Sequence, residues 1–346
     1  MNKQIFIFNY LNQMVYIFFK MINIAKTCYK TLNFRNMKIS VIGAGNVGST
    51  CARVLAQKDA ASEIILLDIK EGVAEGKALD IWQSAPIDRF DARLKGVTND
   101  YKATADSQVV VITSGLPRKP GMSRDDLIGT NAGIVKGVTE NIMKYSPNTI
   151  LIIVSNPLDV MTYQAYLTAE LPRERVMGMA GVLDAGRYRA FLADELNVSP
   201  KDIQALLLGG HGDTMVPLPR YTTVHGIPIT ELVKTEKLNA IIERTKFGGG
   251  ELVKLMGTSA WYAPGSAAAR MAEAITRNQK RVMPVCVKLE GEYGINDSFV
   301  GIPVILGKTG IEKIIELHLN KEEMDLLHKS ANSVKEVMNV LDQQKK

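Results

Sequence analysis

A doubly wound parallel α/β sheet followed by a mixed α+β domain is the fold class this sequence predicts, on three observations. From Met37 onward, near-continuous runs of Val, Ile and Leu recur in KISVIG, EIILLD, QVVVIT and TILIIVS. Stretches with helical spacing separate them. Beyond about residue 158 the alternation gives way to helices followed by shorter β-rich pieces. Unbroken apolar runs mark strands buried on both faces, as in parallel sheets. Strand–helix alternation winds such strands into one sheet with helices on both sides.

Taken in order, KISVIGAG is a strand ending in glycines, and NVGSTCARVLAQKD continues it as a helix. EIILLDIK is a second buried strand. SQVVVITSG and TILIIVSNP are two more, separated by a helix from Asp125 to about Tyr145. The first domain is placed at residues 37–157. In the second, residues 158–346, DAGRYRAFLADELN reads as a helix, and IQALLLGG, YTTVHGIPI and MPVCVKLEGEYGI as short antiparallel strands and hairpins. The C-terminal stretch from Lys321 is an amphipathic helix, with Met324, Leu327 and Val334 on its apolar side.

Composition narrows the function classes. Residues 1–36 carry Lys3, Lys20, Lys26, Lys30 and Arg35 and no acid, five of the six net positive charges of the chain. The remainder is close to neutral and has no basic footprint for nucleic acid. Cys28, Cys51 and Cys286 are far apart and in no metal-ligand spacing, so no metal site is expected. Few cysteines and an odd count fit reduced thiols and a cytoplasmic setting. The first 36 residues lack an unbroken apolar run and a small-residue cleavage site. The preferred reading is that Met37 is the biological start. A weak amphipathic tether to a membrane is the alternative.

The turn GAGNVG places Gly43, Ala44, Gly45, Asn46, Val47 and Gly48 between a strand and a helix. Asp68 follows at the end of the next strand, about 20 residues on, where a dinucleotide fold carries its ribose-binding acid. Gly43 allows the tight turn, Gly45 lets a pyrophosphate approach the backbone, and Gly48 lets helix and strand pack closely. The helix N-terminus then offers free N–H groups to the phosphates. The charge of Asp68 would repel a 2′-phosphate, so NAD is expected rather than NADP. These features predict a Rossmann-type nucleotide domain.

His211 stands in GGHGDT, directly after the apolar run IQALLL, at a strand end where α/β proteins often place chemistry. Asp184 and Arg187, three apart in VLDAGRYR, share one face of a helix. An Asp can hold a His in one tautomer and stabilise its cation. An Arg can bind a substrate carboxylate with two parallel hydrogen bonds. His225, His318 and His328 lie in turn or polar contexts.

With these motifs in place, the chain from Met37 onward resembles the lactate/malate dehydrogenase family, and within it the lactate-dehydrogenase-like malate dehydrogenases. The resemblance rests on GAGNVG, LLD, PRKPGMSRDDL, GTNAGI, VSNPLDV, VLDAGRYR and GGHGDTMVPL, in that order. It implies that the Pro- and Gly-rich loop GLPRKPGMSRDD is a lid over the substrate. Arg118 then falls at the position that selects substrate, and Arg124 at the position that polarises the reacting carbonyl. It also implies that Asn156 contacts substrate and nicotinamide, that Asn131, Val154 and Ser155 contact the cofactor, and that Ser259 lies at the pocket wall. The implied reaction is reversible oxidation of malate to oxaloacetate, with His211 and Asp184 as the proton relay. The implied assembly is a homo-oligomer, a tetramer before a dimer. The competing readings are a lactate dehydrogenase and a non-catalytic NAD-binding module. Arg118 argues against the first, because an arginine facing the methyl group of pyruvate would be desolvated without a partner. The presence of His211, Asp184, Arg118, Arg124 and Arg187 argues against the second.

Overall fold

Each of the four apolar runs forms a parallel strand. In the computed structural model, which describes residues 20–21, 37–116 and 124–344, these are β1 (Lys38–Ile42), β2 (Glu63–Asp68), β4 (Val109–Ile112) and β5 (Ile150–Ile153). Two further strands complete the parallel part: β3 (Arg93–Thr98) and β6 (Val176–Gly178). The order β3-β2-β1-β4-β5-β6 reverses direction between β1 and β4, and the crevice at such a switch point is where doubly wound sheets bind nucleotides. The strands are apolar because both faces are covered: Ile39, Val41, Leu66, Val110 and Ile152 are fully buried. The helices between them are α1 (Asn46–Gln57), α2 (Val73–Gln83), α3 (Arg124–Tyr145) and α4 (Leu158–Ala169).

The second half adds helices α5 (Gly181–Leu196), α6 (Thr235–Met256), α7 (Tyr262–Thr276) and α8 (Lys321–Gln344). Its strands are short at first: β7 (Ile203–Gln204), β8 (Leu207–Gly209), β9 (Met215–Pro217), β10 (Thr223–Val224) and β11 (Ile227–Pro228). A long antiparallel meander follows, of β12 (Arg281–Glu290), β13 (Asn296–Gly307) and β14 (Gly310–Ile314). The antiparallel strands extend the same sheet, because β12 pairs with β6 at Cys286–Gly178 and β13 with β8 at Gly301–Gly209. Only β7, β10 and β11 form a separate small sheet. The parallel sheet also runs past residue 157, since β6 follows α4.

Two packing features fix the site. Tyr188, Leu192, Ile203, Leu207, Ile229 and Leu238 form one buried cluster that locks α5 against α6 and the small sheet. At the other side, α7 packs closely on α1; a Cβ on Gly265 would lie 2.8 Å from Thr50 Cβ. Arg118 and Lys119 lie outside the described residues, as do the side chain of Arg124 and nearly all of the 1–36 segment. Among the described residues no helix is long and apolar enough to cross a membrane.

Candidate active site

The glycine turn explains itself sterically. Gly43 has φ +103°, and its amide donates to the Leu67 carbonyl at 2.8 Å, which closes the turn onto β2. A Cβ on Gly48 would stand 1.8 Å from the Gly43 carbonyl oxygen, so α1 could not leave the strand at this angle with any side chain there. Gly45, by contrast, has no atom within 4 Å of where a Cβ would be. It forms the N-cap of α1 with no side-chain cap and no acid in the first turn. The N–H groups at this helix start are thus left to an anionic ligand. Asp68 closes the rim: its carboxylate accepts from the Ala44 amide at 2.6 Å and from the Lys70 amide at 3.0 Å. Gly43, Gly45, Asp68, Tyr101, Ser114 and Gly115 line one continuous groove. The residues present therefore fit a dinucleotide, with its pyrophosphate at α1 and a ribose at Asp68.

The residues that follow β5 adjoin the groove at Ser114, whose carbonyl accepts from Ser155. Asn131, buried within α3, clasps the start of the Pro- and Gly-rich loop: its side chain accepts from the Leu116 amide at 2.8 Å and donates to the Leu116 carbonyl at 3.2 Å. It also donates to the Asn156 carbonyl at 2.7 Å. Its polar atoms are thus occupied in tying the loop base to the segment after β5. Val154 and Ser155 are buried there, and Ser155 donates to the Ser114 carbonyl at 2.5 Å. Asn156 precedes a cis proline bond and its side chain is exposed. Asn156 and His211 line one cavity together with Leu127 and Asp213. Ser259 is exposed after α6 and is not part of that wall.

The predicted histidine constellation is assembled. His211 Nδ1 lies 2.9 Å from Asp184 Oδ2, and the other Asp184 oxygen lies 3.5 Å from Arg187 Nη1. Asp184 is 2 % exposed and the His211 side chain 21 %. A carboxylate this deep is tolerated because the histidine and arginine compensate it. Burial alone would depress the His211 pKa, but the charge and hydrogen bond of Asp184 outweigh it, and the net shift is upward.

One residue escaped the sequence reading. Asp159, in the first turn of α4, is buried, and its Oδ2 accepts from the His211 backbone amide at 2.9 Å. Burial raises its pKa against the opposing pull of that hydrogen bond. Its position three residues after Asn156, between Leu158 and Val160, was the available signal: an acid with apolar neighbours at a helix start. The histidine is therefore held twice, at the ring by Asp184 and at the backbone by Asp159.

A nucleotide crevice at the switch point of the sheet, together with a carboxylate-held histidine, defines a dinucleotide-dependent oxidoreductase. The comparisons make the class specific. The family pattern for the lactate/malate dehydrogenase NAD binding domain matches residues 37–178, and that for the alpha/beta C-terminal domain matches residues 181–344. The chain belongs to the lactate/malate dehydrogenase family, and its cofactor is NAD. It is 72 % identical to the malate dehydrogenase of Cytophaga hutchinsonii over 306 residues, covering 88 % of this chain and 98 % of the relative. The 1.55 Å structure of malate dehydrogenase from Salinibacter ruber is 54 % identical, with TM-score 0.86, and the match covers 89 % of this chain and 99 % of that one. A lactate dehydrogenase from Cryptosporidium parvum, solved with lactic acid and the cofactor, is 38 % identical with TM-score 0.84, covering 88 % and 98 % of the two chains.

Proposed function

We propose that this chain catalyses the reversible, NAD-linked oxidation of (S)-malate to oxaloacetate. The observation that carries the reading is the 2.9 Å His211–Asp184 pair with Arg187 beside it, where His211 and Arg187 line one cavity. Oxidation of a 2-hydroxy acid releases a proton from the hydroxyl oxygen and a hydride from the carbon that bears it. The oxidised nicotinamide supplies the hydride acceptor. His211 takes the proton at Nε2, because Nδ1–H is committed to Asp184 and that commitment fixes the tautomer. Asp184 then stabilises the imidazolium. In reduction His211 must start protonated and donates from Nε2 to the forming alkoxide.

Arg187 holds the carboxylate next to the reacting carbon. Arg118 holds the far carboxylate, which malate has and lactate lacks. Arg124 polarises the carbonyl, and Asn156 contacts substrate and nicotinamide. Gly43, Ala44, Gly45, Asn46, Val47 and Gly48 bind the pyrophosphate, Asp68 the ribose, and Asn131 and the backbone of Val154 and Ser155 line the cofactor. A cytoplasmic setting fits the two buried, unpaired cysteines Cys51 and Cys286. A homo-oligomer, tetramer before dimer, fits the exposed Leu79 and Ile87.

The reading is tested by NAD reduction with (S)-malate, (R)-malate and (S)-lactate as separate substrates. Turnover on (S)-malate alone is expected; equal turnover on lactate would contradict the assignment. Cofactor choice is a second test. Asp68→Ser removes both an acceptor for the ribose and a repulsive charge, so the preference for NADH over NADPH should narrow. A wild-type enzyme that used both equally would remove the role given to Asp68.

The raised His211 pKa has a definite sign in the rates. Oxaloacetate reduction needs the protonated ring, so its kcat/KM should hold on the acid side of the histidine pKa and fall as pH rises through it. Malate oxidation needs the neutral ring and should rise over the same window. That window should lie above about 6.5, the ordinary histidine value. In Asp184→Asn the attraction is lost and burial prevails, so the window should move to lower pH. An unchanged profile would mean that Asp184 does not set the histidine charge.

A further inference from the structure

Three consecutive glycines, Gly248, Gly249 and Gly250, lie inside α6. Glycine is among the poorest residues for a helix interior, and none of the three has the left-handed φ that would require it. The reason differs along the run. A Cβ on Gly249 or Gly250 would meet nothing within 4 Å. A Cβ on Gly248 would stand 2.4 Å from Arg187 Cδ, 2.8 Å from its Nε and 3.5 Å from its Cγ. The shaft of Arg187 thus runs directly across the bare Cα of Gly248.

Little else fixes that side chain among the described residues. Its Nη1 reaches Asp184 Oδ1 and the Thr245 carbonyl only at 3.5 Å each, at the outer edge of hydrogen-bond length. The side chain is nevertheless only 12 % exposed. Its course is set by shape: the flat strip at Gly248 lets the arginine lie low across α6, and the guanidinium ends beside Asp184, which also holds His211.

We propose that Gly248 is a positioning residue for substrate, acting through Arg187. The inference rests on the reading of Arg187 as the group that binds the carboxylate beside the reacting carbon. A methyl group at 248 would have to displace the arginine shaft by about 1 Å to restore an ordinary contact, and a displacement of that size in a substrate-holding group can cost up to about 100-fold. The helix itself would not suffer, since Ala is the better helix former.

The test is a double-mutant cycle of wild type, Gly248→Ala, Arg187→Ala and the double variant, read as KM and kcat for oxaloacetate. Gly248→Ala should raise KM about 10- to 100-fold, with the larger part of the loss in KM rather than kcat. NADH affinity and the thermal midpoint should not fall. Arg187→Ala, which removes both the guanidinium and the shaft that crosses Gly248, should raise KM by itself. The double variant should be no worse than Arg187→Ala within about twofold, because the glycine matters only through the arginine. A Gly248→Ala enzyme with KM within about twofold of wild type would overturn the inference while leaving the role of Arg187 intact. So would two effects that simply multiply. A normal KM in Arg187→Ala would remove the reading of Arg187, and the inference with it.

Discussion

Replacing His211 by Asn is expected to lower turnover about 10²–10⁴-fold, the range for loss of a general acid or base. The amide side chain keeps roughly the size and polarity of the ring but cannot carry the proton that the hydroxyl releases. The change also removes the ring that can carry a compensating positive charge beside Asp184, which is buried at 2 % exposure. Some loss of stability should therefore accompany the loss of rate. NADH binding should survive, because the turn at Gly43–Gly48 and the rim at Asp68 are built from β1, α1 and β2 and do not touch His211. Stopped-flow turnover together with NADH fluorescence titration separates the two. Near-normal turnover in the variant would exclude His211 as the proton carrier.

Arg118→Gln should shift substrate choice from two directions. The proposed contact pairs a guanidinium with the far carboxylate of oxaloacetate in a site closed from water. Such charge-assisted bidentate pairs are worth several kcal/mol, and each roughly 1.4 kcal/mol is tenfold in specificity. Removing the charge weakens oxaloacetate. It also lifts the penalty for placing an unpaired arginine against the methyl group of pyruvate, so pyruvate activity should rise. The shift need not complete a switch, because the remainder of the pocket serves a dicarboxylate. If the ratio of kcat/KM for the two keto acids changes by less than about twofold, Arg118 is not the selecting residue.

What was legible in the sequence follows from what each residue responds to. β1, β2, β4 and β5 respond to burial on both faces, and a one-dimensional pattern records that as an unbroken apolar run. β3 does not fit the pattern because it lies at the edge of the sheet: its six residues RLKGVT are mostly part-exposed and read as a polar stretch. β6 has only three residues, too few for any period. β13, the longest strand, was not read from the sequence either, because Gly301 and Pro303 interrupt it. Gly301 is needed there because a Cβ would come within 2.8 Å of the Gly209 carbonyl where β13 pairs with β8. A close approach of two strands thus looked like a break in one of them.

The same division holds for the site. His211, Asp184 and Arg187 were readable because local chemistry marks them: a histidine among glycines at a strand end, and an acid and a base three apart on a helix. Asp159 and Gly248 were not, because their importance lies in contacts with residues far away in the chain. The acid in VSNPLDV matters through the amide of residue 211, and the glycine in FGGGEL through the side chain of residue 187. Neither distance leaves a trace in spacing.

The site is proposed to take a dicarboxylic 2-keto acid. The deciding measurement is kcat/KM for NADH oxidation with oxaloacetate and with pyruvate, side by side on the wild-type protein at one pH and one ionic strength. A preference for oxaloacetate of at least about 100-fold is expected, the equivalent of roughly 2.7 kcal/mol from the second carboxylate contact. Equal values, or a preference for pyruvate, would contradict it.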